Sequence, residues 1–350
     1  MKAQQSGAAL LTAMLTVALV ATMAAAALWQ QWRSTEVEAV ERARVQALWV
    51  LTGALDWSRL ILREDGRSGG ADHLGEPWAV PLEEARLSTF LAADKNNTAD
   101  SADTMPQAFL SGRISDLQAR MNVLNLVDLG SKGSTVPPPA ANATAGISAT
   151  DQEASTGISA TVSESTLQAF ARLFERLGLP TGELTALAEN LRFALDTSAG
   201  SGAATLAPLL PQRVEQLVWL GLSPRSLARL RPYITLLPVH TPVNLNTASA
   251  MVLSASIPLL DLAQAQQMVS TRMVTPFRSL ADAAKLAGEA AGPLNAAQHS
   301  VNSRFFEVRG RLRQDQGVVE ERSVLQRDGL NVKTLWRDRG AQPPQDAPLQ

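Results

Sequence analysis

The 350-residue chain is 45% hydrophobic and carries 31 Lys and Arg against 33 Asp and Glu, a net charge of −2. That balance removes the broad electrostatic basis for nucleic-acid binding and implies no acidic partner either. With no cysteine, a disulfide framework, a thiolate metal site and a cysteine nucleophile are excluded, and the length suits two or three units with a sizeable core.

Gly7 separates a short polar leader, residues 1–6, from an uncharged run over residues 8–28 that ends at Trp29. At ~1.5 Å per residue the run crosses a hydrocarbon core of roughly 30 Å as one helix. It is too long for a typical signal-peptide core, and its small-residue punctuation lies before it rather than after. Cutting between Gly7 and Ala8 would discard the leader and keep the helix. An uncleaved anchor, or a signal peptide ending near residues 21–27, is the alternative. Lys2 before the run and Arg33 after it favour a cytoplasmic N-terminus, which places the rest of the chain in the periplasm.

Residues 30–63 continue the helix: no proline occurs, and Val37, Val40, Ala47, Leu48, Leu51, Leu55 and Leu62 recur near helical spacing. Glu36, Glu38, Glu41, Arg42, Arg44 and Arg59 fill the remainder. Anchor and amphipathic stretch together predict one rod of roughly 80 Å. The segment 63–81 breaks it with Gly66, Gly69, Gly70, Gly75 and Pro77. Gly66-Arg67-Ser68-Gly69-Gly70 matches a nucleophile elbow formally, but no apolar strand precedes Ser68 and a polar loop follows it, so hydrolase chemistry is not expected. Residues 72–79 read as a turn into a short strand with Trp78 as a core plug.

Residues 130–165 are nearly all Gly, Ser, Thr, Ala and Pro, and Gly146-Ile147-Ser148-Ala149-Thr150 recurs at Gly157-Ile158-Ser159-Ala160-Thr161. Too few large apolar groups occur there to fold alone, so a flexible linker is expected. Helical spacing returns over 167–195, broken at Gly178-Leu179-Pro180, and short helices fit 214–220 and 226–230. The period then switches. Phe306, Val308 and Leu312 alternate with Glu307, Arg309, Arg311 and Arg313, and turns at 314–317 and 328–329 predict a three-stranded meander reaching Trp336. Glu320, Glu321 and Asp338 interleave with its arginines, which reads as a solvated sheet face.

Several motifs converge. Gly7 followed by Ala8-Ala9-Leu10-Leu11, then Gln46-Ala47-Leu48-Trp49, then Leu74-Gly75-Glu76-Pro77-Trp78-Ala79 resemble the protein K family of type II secretion, the large minor pseudopilins. Residues 112–122, 241–249 and 303–308 complete the match, which covers most of the chain apart from the linker. The resemblance implies an α+β pseudopilin fold, a long helix with an antiparallel sheet, interrupted by a large SAM-like or helix-hairpin-helix-like insertion. It implies a leader at 1–7, a membrane helix at 8–29 and the periplasmic half of the spine at 30–63. The α/β unit would be split between 64–112 and 299–337 around helical units at 113–237 and 238–298, with a tail at 338–350.

The resemblance further implies an inner-membrane subunit, cleaved by a prepilin peptidase, that caps a pseudopilus tip and helps start its assembly for export of folded proteins. Its partners would be minor pseudopilins I, J and H and the inner-membrane assembly platform, with no nucleic acid. Major pilins carry Glu at the fifth mature position; cleavage after Gly7 puts Thr12 there, a neutral hydroxyl that bonds its own backbone and avoids a charge in hydrocarbon. Some family members bind calcium in an acidic loop. The corresponding residues 189–205 offer Glu189, Asp196 and few other carboxylates, so no cofactor or metal is carried over.

A minor subunit of a type IV pilus would share the leader and spine. A second rival is a DNA-binding helix-hairpin-helix over 243–286, with Asn246 or Thr247 as N-cap. Leu259 and Asp261 stand where its phosphate-binding glycines belong, which opposes that reading. His73, His240 and His299 are scattered, read as loop or surface histidines, and form no catalytic pattern.

Overall fold

The computed structural model describes residues 6–87, 108–131, 158–196, 207–288, 294–314 and 317–340. The first copy of the five-residue repeat and the last ten residues lie outside them.

Helix α1 runs from Ser6 to Ser68, 63 residues without a proline. It passes through Gly66, where a break was expected, because glycine is what the packing needs there: a Cβ would stand 2.8 Å from the Gly329 carbonyl oxygen. It stops instead at Gly69 and Gly70, with φ of 67° and 116°, the left-handed backbone that glycine adopts without steric cost. The membrane-length window has a mean hydropathy of 2.1, and none of it is buried in protein.

The upper half of α1 buries Ala47, Leu51, Leu55, Ser58 and Leu62, one stripe at three- and four-residue spacing. Val37 and Val40, expected in that stripe, are exposed below the sheet. The stripe packs on a five-stranded sheet, all antiparallel. Its strands, in spatial order, are β1 Leu82–Arg86, β2 Ala108–Asp116, β9 Phe305–Gln314, β10 Gly317–Asp328 and β11 Asn331–Arg339. Leu110 and Leu312 meet Ala47 and Leu51, while Phe306, Val308 and Leu325 meet Leu55 and Leu62. Each fully buried leucine or phenylalanine contributes about 1.5–3 kcal/mol. A Cβ at Gly310 would lie 3.0 Å from Leu51 Cδ2, so that glycine sets how close the helix lies. Trp78 plugs this core, edge-on to Phe306 at 5.2 Å. It sits in a 3-10 turn, Pro77–Ala79, rather than entering a strand.

Between the neighbouring strands β2 and β9 the chain leaves the sheet and returns. The excursion holds β3 Met121–Asn122, β4 Val127–Ser131, β5 Ile158–Val162, β6 Ile234–Thr235, β7 Val243–Asn244 and β8 His299–Ser300. Its helices are α2 Glu164–Arg176, α3 Thr181–Leu195, α4 Pro224–Leu230, α5 Ala250–Ser256, α6 Leu262–Val274 and α7 Leu280–Ala287, with a 3-10 turn at Val214–Leu220. The expected linker at 130–165 is corrected at both ends: β4 and β5 pair antiparallel from Val127↔Val162 to Ser131↔Ile158 and α2 starts at Glu164. Only 132–157 lie outside the described residues. Phe170, Leu173 and Leu187 share one apolar core with Leu253, Ala265 and Met268, so both halves of the insertion pack as one body.

Candidate functional site

The surface of α1 is apolar twice over. Opposite the buried stripe stand Val45, Trp49, Trp57 and Leu60, with Trp49 73% exposed. Gly53 lies between the tryptophans with nothing within 4 Å of where a Cβ would be. Positions 45, 49, 53 and 57 recur every four residues, one ridge along roughly three helical turns. Val45 and Trp49 join neither of the apolar clusters that seat α1 on the sheet. Lower down, Gly7 and Ala8 lie in the first turns of α1, and Thr12 Oγ1 donates to the Ala9 carbonyl at 2.9 Å, which satisfies its hydroxyl within the helix.

The other organised feature is a buried polar latch at the neck of the insertion. Asp116, the last residue of β2, is fully enclosed. Its carboxylate accepts from Ser303 Oγ at 2.6 Å, Thr247 Oγ1 at 2.6 Å, Asn244 Nδ2 at 3.1 Å and the Gln118 amide at 2.7 Å. Asn244 also donates to Asp72 O and Ser303 Oγ. Burial pushes Asp116 up to about 6, partly offset by those hydrogen bonds. Gln118 continues the seam, donating to Pro242 O at 3.0 Å and accepting from Arg304 N at 2.6 Å. Asn122 donates to Val239 O at 2.8 Å. Both chain crossings between sheet and insertion are therefore held to the segment 239–247.

The latch runs on into a carboxylate cluster. Asp65, Asp72 and Glu76 converge within 4.8 Å, a spacing that suits a cation, but a guanidinium already stands there: Arg327 donates to Asp65 and to Asp72. Glu76 Oε2 accepts from Trp78 Nε1 at 2.7 Å and from the His73 amide at 2.9 Å. Burial raises Asp65 and Asp72, while the charges of Asp72 and Asp65 outweigh burial at Arg327 and hold its guanidinium above the ordinary value. The cluster fixes the end of α1 to β10.

The hairpin between α5 and α6 differs from the sequence expectation. Ser249, not Asn246 or Thr247, caps α5; Thr247 serves the latch, and Asn246 bridges to Phe277 N and O at 2.9 Å each. Asp261 caps α6 in a capping box with Gln264, so a carboxylate already fills the helix N-terminus that a phosphate would need. Arg172 and Arg176 of α2 donate to the carbonyls of Ala255, Ser254 and Leu260, burying the hairpin's other side. His299 is a buried core residue rather than a surface one, lowered to about 4 by burial, and is neutral at physiological pH. His240 is exposed and bonds Val127 O at 2.8 Å, and His73 lies in the loop after α1. Glu189 and Asp196 both face Arg192, at 3.0 and 3.9 Å; residues 197–205 of the acidic stretch lie outside the described residues.

A single membrane-length helix that continues as the spine of an antiparallel sheet, with a body spliced between two central strands, defines a membrane-anchored pseudopilin. Two family models, both described as type II secretion system (T2SS), protein K, match residues 119–239 and 243–302, together more than half of the chain. Type II secretion system protein K of Pseudomonas aeruginosa is 27% identical over 345 residues, 97% of this chain and 91% of that protein. The protein K of Pectobacterium carotovorum is 25% identical over 367 residues, 97% and 98%. In the GspK–GspI–GspJ complex of the enterotoxigenic Escherichia coli type 2 secretion system, one chain shares the fold with a TM-score of 0.57 at 18% identity, over 86% of this chain and 98% of that one. The chain belongs to the type II secretion system protein K family, the minor pseudopilins of protein secretion. This is a family of structural subunits, not of enzymes.

Proposed function

We propose that the chain is the tip subunit of a type II secretion pseudopilus, assembling with minor pseudopilins I and J and helping to start the filament that exports folded proteins across the outer membrane. The observation that carries this reading is the second apolar stripe of α1. A solitary spine has no use for Val45, Trp49 and Leu60 in water, and a groove beside Gly53 suits the close approach of another pseudopilin helix. The relative whose fold it shares was solved as a complex with I and J. The insertion, read as SAM-like modules at one end of the sheet, would obstruct a subunit stacked above it. Thr12, if it is the fifth mature residue, offers no carboxylate to pair with such a subunit.

In this reading a prepilin peptidase cuts between Gly7 and Ala8, the anchor lies in the bacterial inner membrane with the sheet and insertion in the periplasm, and the assembly platform and pseudopilin H are further partners. The full chain, co-expressed with I and J of the same system and extracted in detergent, should co-purify with both, and Trp49→Asp should reduce recovery of the complex. Recovery of the chain alone, or an undiminished complex in Trp49→Asp, would sink the reading.

A further inference from the structure

The sheet face turned away from α1 carries arginines in register. Arg113 of β2 lies directly opposite Arg309 of β9, which lies opposite Arg322 of β10. Arg311 and Arg313 follow along β9, and Arg86 and Arg313 both lie over the Phe109 ring, at 6.0 and 4.3 Å. Like charges directly opposite each other destabilise a sheet; Glu307 offsets this for Arg309 and Arg322, but not for Arg113, which lies opposite Arg309.

Among the described residues, the acids on this face do not neutralise it. Glu307, 1% exposed, takes Arg309 and Arg322 at 2.5 Å each. Arg120 stands beside the same carboxylate, and burial together with the neighbouring guanidiniums lowers its pKa despite Glu307. Glu320 meets Arg311 at 3.5 Å, and Glu84 meets Arg313 at 2.5 Å. Asp338 is taken by Arg213 at 2.9 Å, and Glu215 is shared between Arg231 at 2.7 Å and Arg322 at 3.9 Å. Glu321, expected to interleave here, points to the opposite face and pairs with Arg337 and Arg339 at 3.4 and 2.7 Å. Arg113 is exposed and has no ion pair among the described residues.

We propose that this face docks an extended, carboxylate-rich segment of another polypeptide, laid along β9. Side chains on one face of a strand repeat at about 6.8 Å. Arg309, Arg311 and Arg313 therefore space guanidiniums at the repeat of Glu or Asp at alternate positions of an extended chain; each already meets one carboxylate of this chain, and Arg113 beside them supplies the spare planar fork that matches a carboxylate. A single-stranded nucleic acid would need free aromatic faces for its bases, and here Phe109 is covered by Arg313 and Arg86, while Trp336 is flanked by Arg213 and Arg322 at 5.5 and 5.3 Å. The chain's overall charge of −2 hides this local surplus. The face lies across the sheet from α1, so it is separate from the Trp49 ridge and does not depend on the spine contact.

The full chain in detergent should bind a fluorescein-labelled (Glu-Thr)5 peptide saturably by anisotropy, with affinity falling as salt rises. The double variant Arg113→Glu with Arg311→Glu should lose at least about tenfold in affinity, and the milder Arg113→Gln with Arg311→Gln less. Both positions are exposed and outside the Glu307 pairing, so unchanged thermal midpoints will show that the variants fold. Trp49→Asp should leave peptide binding intact. Absence of saturable binding, equal affinity in the Glu double variant, or tighter binding of an oligonucleotide ten residues long would overturn the proposal.

Discussion

Asn244 Nδ2 reaches the Asp116 carboxylate at 3.1 Å across 128 residues of sequence, and the same amide reaches Ser303, just before the returning strand β9, at 2.9 Å. One side chain from inside the insertion thus ties both of its necks. A bulky body spliced between two sheet strands would otherwise pivot on two single-chain crossings.

Burial raises Asp116 from 3.8 to about 6, so the folded chain holds that proton more tightly than the unfolded one. The stabilisation from that proton is full below about pH 4 and lost as pH rises through about 6, a difference of about 3 kcal/mol. Asp116→Asn cannot titrate. Its stability deficit relative to the parent should therefore narrow by up to about 3 kcal/mol between about pH 4 and about pH 7, read by denaturant midpoints. A pH-independent gap would contradict the assignment.

Glu307 behaves in the opposite way. Burial opposes its charge, but Arg322 and Arg309 outweigh that and hold the carboxyl below its ordinary value. Its contribution is present above the unfolded value of 4.5 and is lost as pH falls through the depressed folded value. Glu307→Gln strands two guanidiniums beside a buried amide and should cost about 3–5 kcal/mol at neutral pH. Unfolding of the variant by urea would show it, and a loss below about 1 kcal/mol would mean water already screens the site.

Gly66→Ala separates helix propensity from packing. Propensity alone favours alanine in a helix by about 1 kcal/mol, but the new methyl would sit 2.8 Å from the rigid Gly329 backbone. The clash should win, with a net destabilisation of about 1–3 kcal/mol. A rise in the thermal midpoint would show that α1 is not seated against the β10–β11 turn.

Leu259 holds φ at 59° with its side chain 78% exposed, so it bears left-handed strain without compensating burial. Leu259→Gly relieves that strain and should stabilise the chain by roughly 1 kcal/mol. A loss of stability would imply that the leucine packs against something in solution.

What the sequence disclosed was periodic and local. The unbroken apolar pattern reads directly as α1, the alternation around Phe306 as β9, and Gly178-Leu179-Pro180 as the break between α2 and α3. Gly66 read as a breaker because its partner, Gly329, is more than 260 positions away in the chain. The strand β5 was hidden in a Ser/Thr/Ala-rich stretch whose pairing with β4 is non-local. The latch was invisible for the same reason: Asp116, Asn244 and Ser303 each look like ordinary loop polar residues until the necks of the insertion meet. Asn246 and Thr247 looked like N-caps because their side chains suit that role equally well, and tertiary hydrogen bonds claimed them first. The alternation of Asn244 and Asn246 around buried Leu245 was the one local sign that this stretch is enclosed.

A pseudopilin spine processed by a prepilin peptidase leaves its mark on the N-terminus of the membrane-extracted protein, read by intact mass and N-terminal sequencing with and without the peptidase. A new terminus at Ala8 is expected only when the peptidase is present. A terminus left at Met1 in its presence, or one beyond the apolar run, would contradict it.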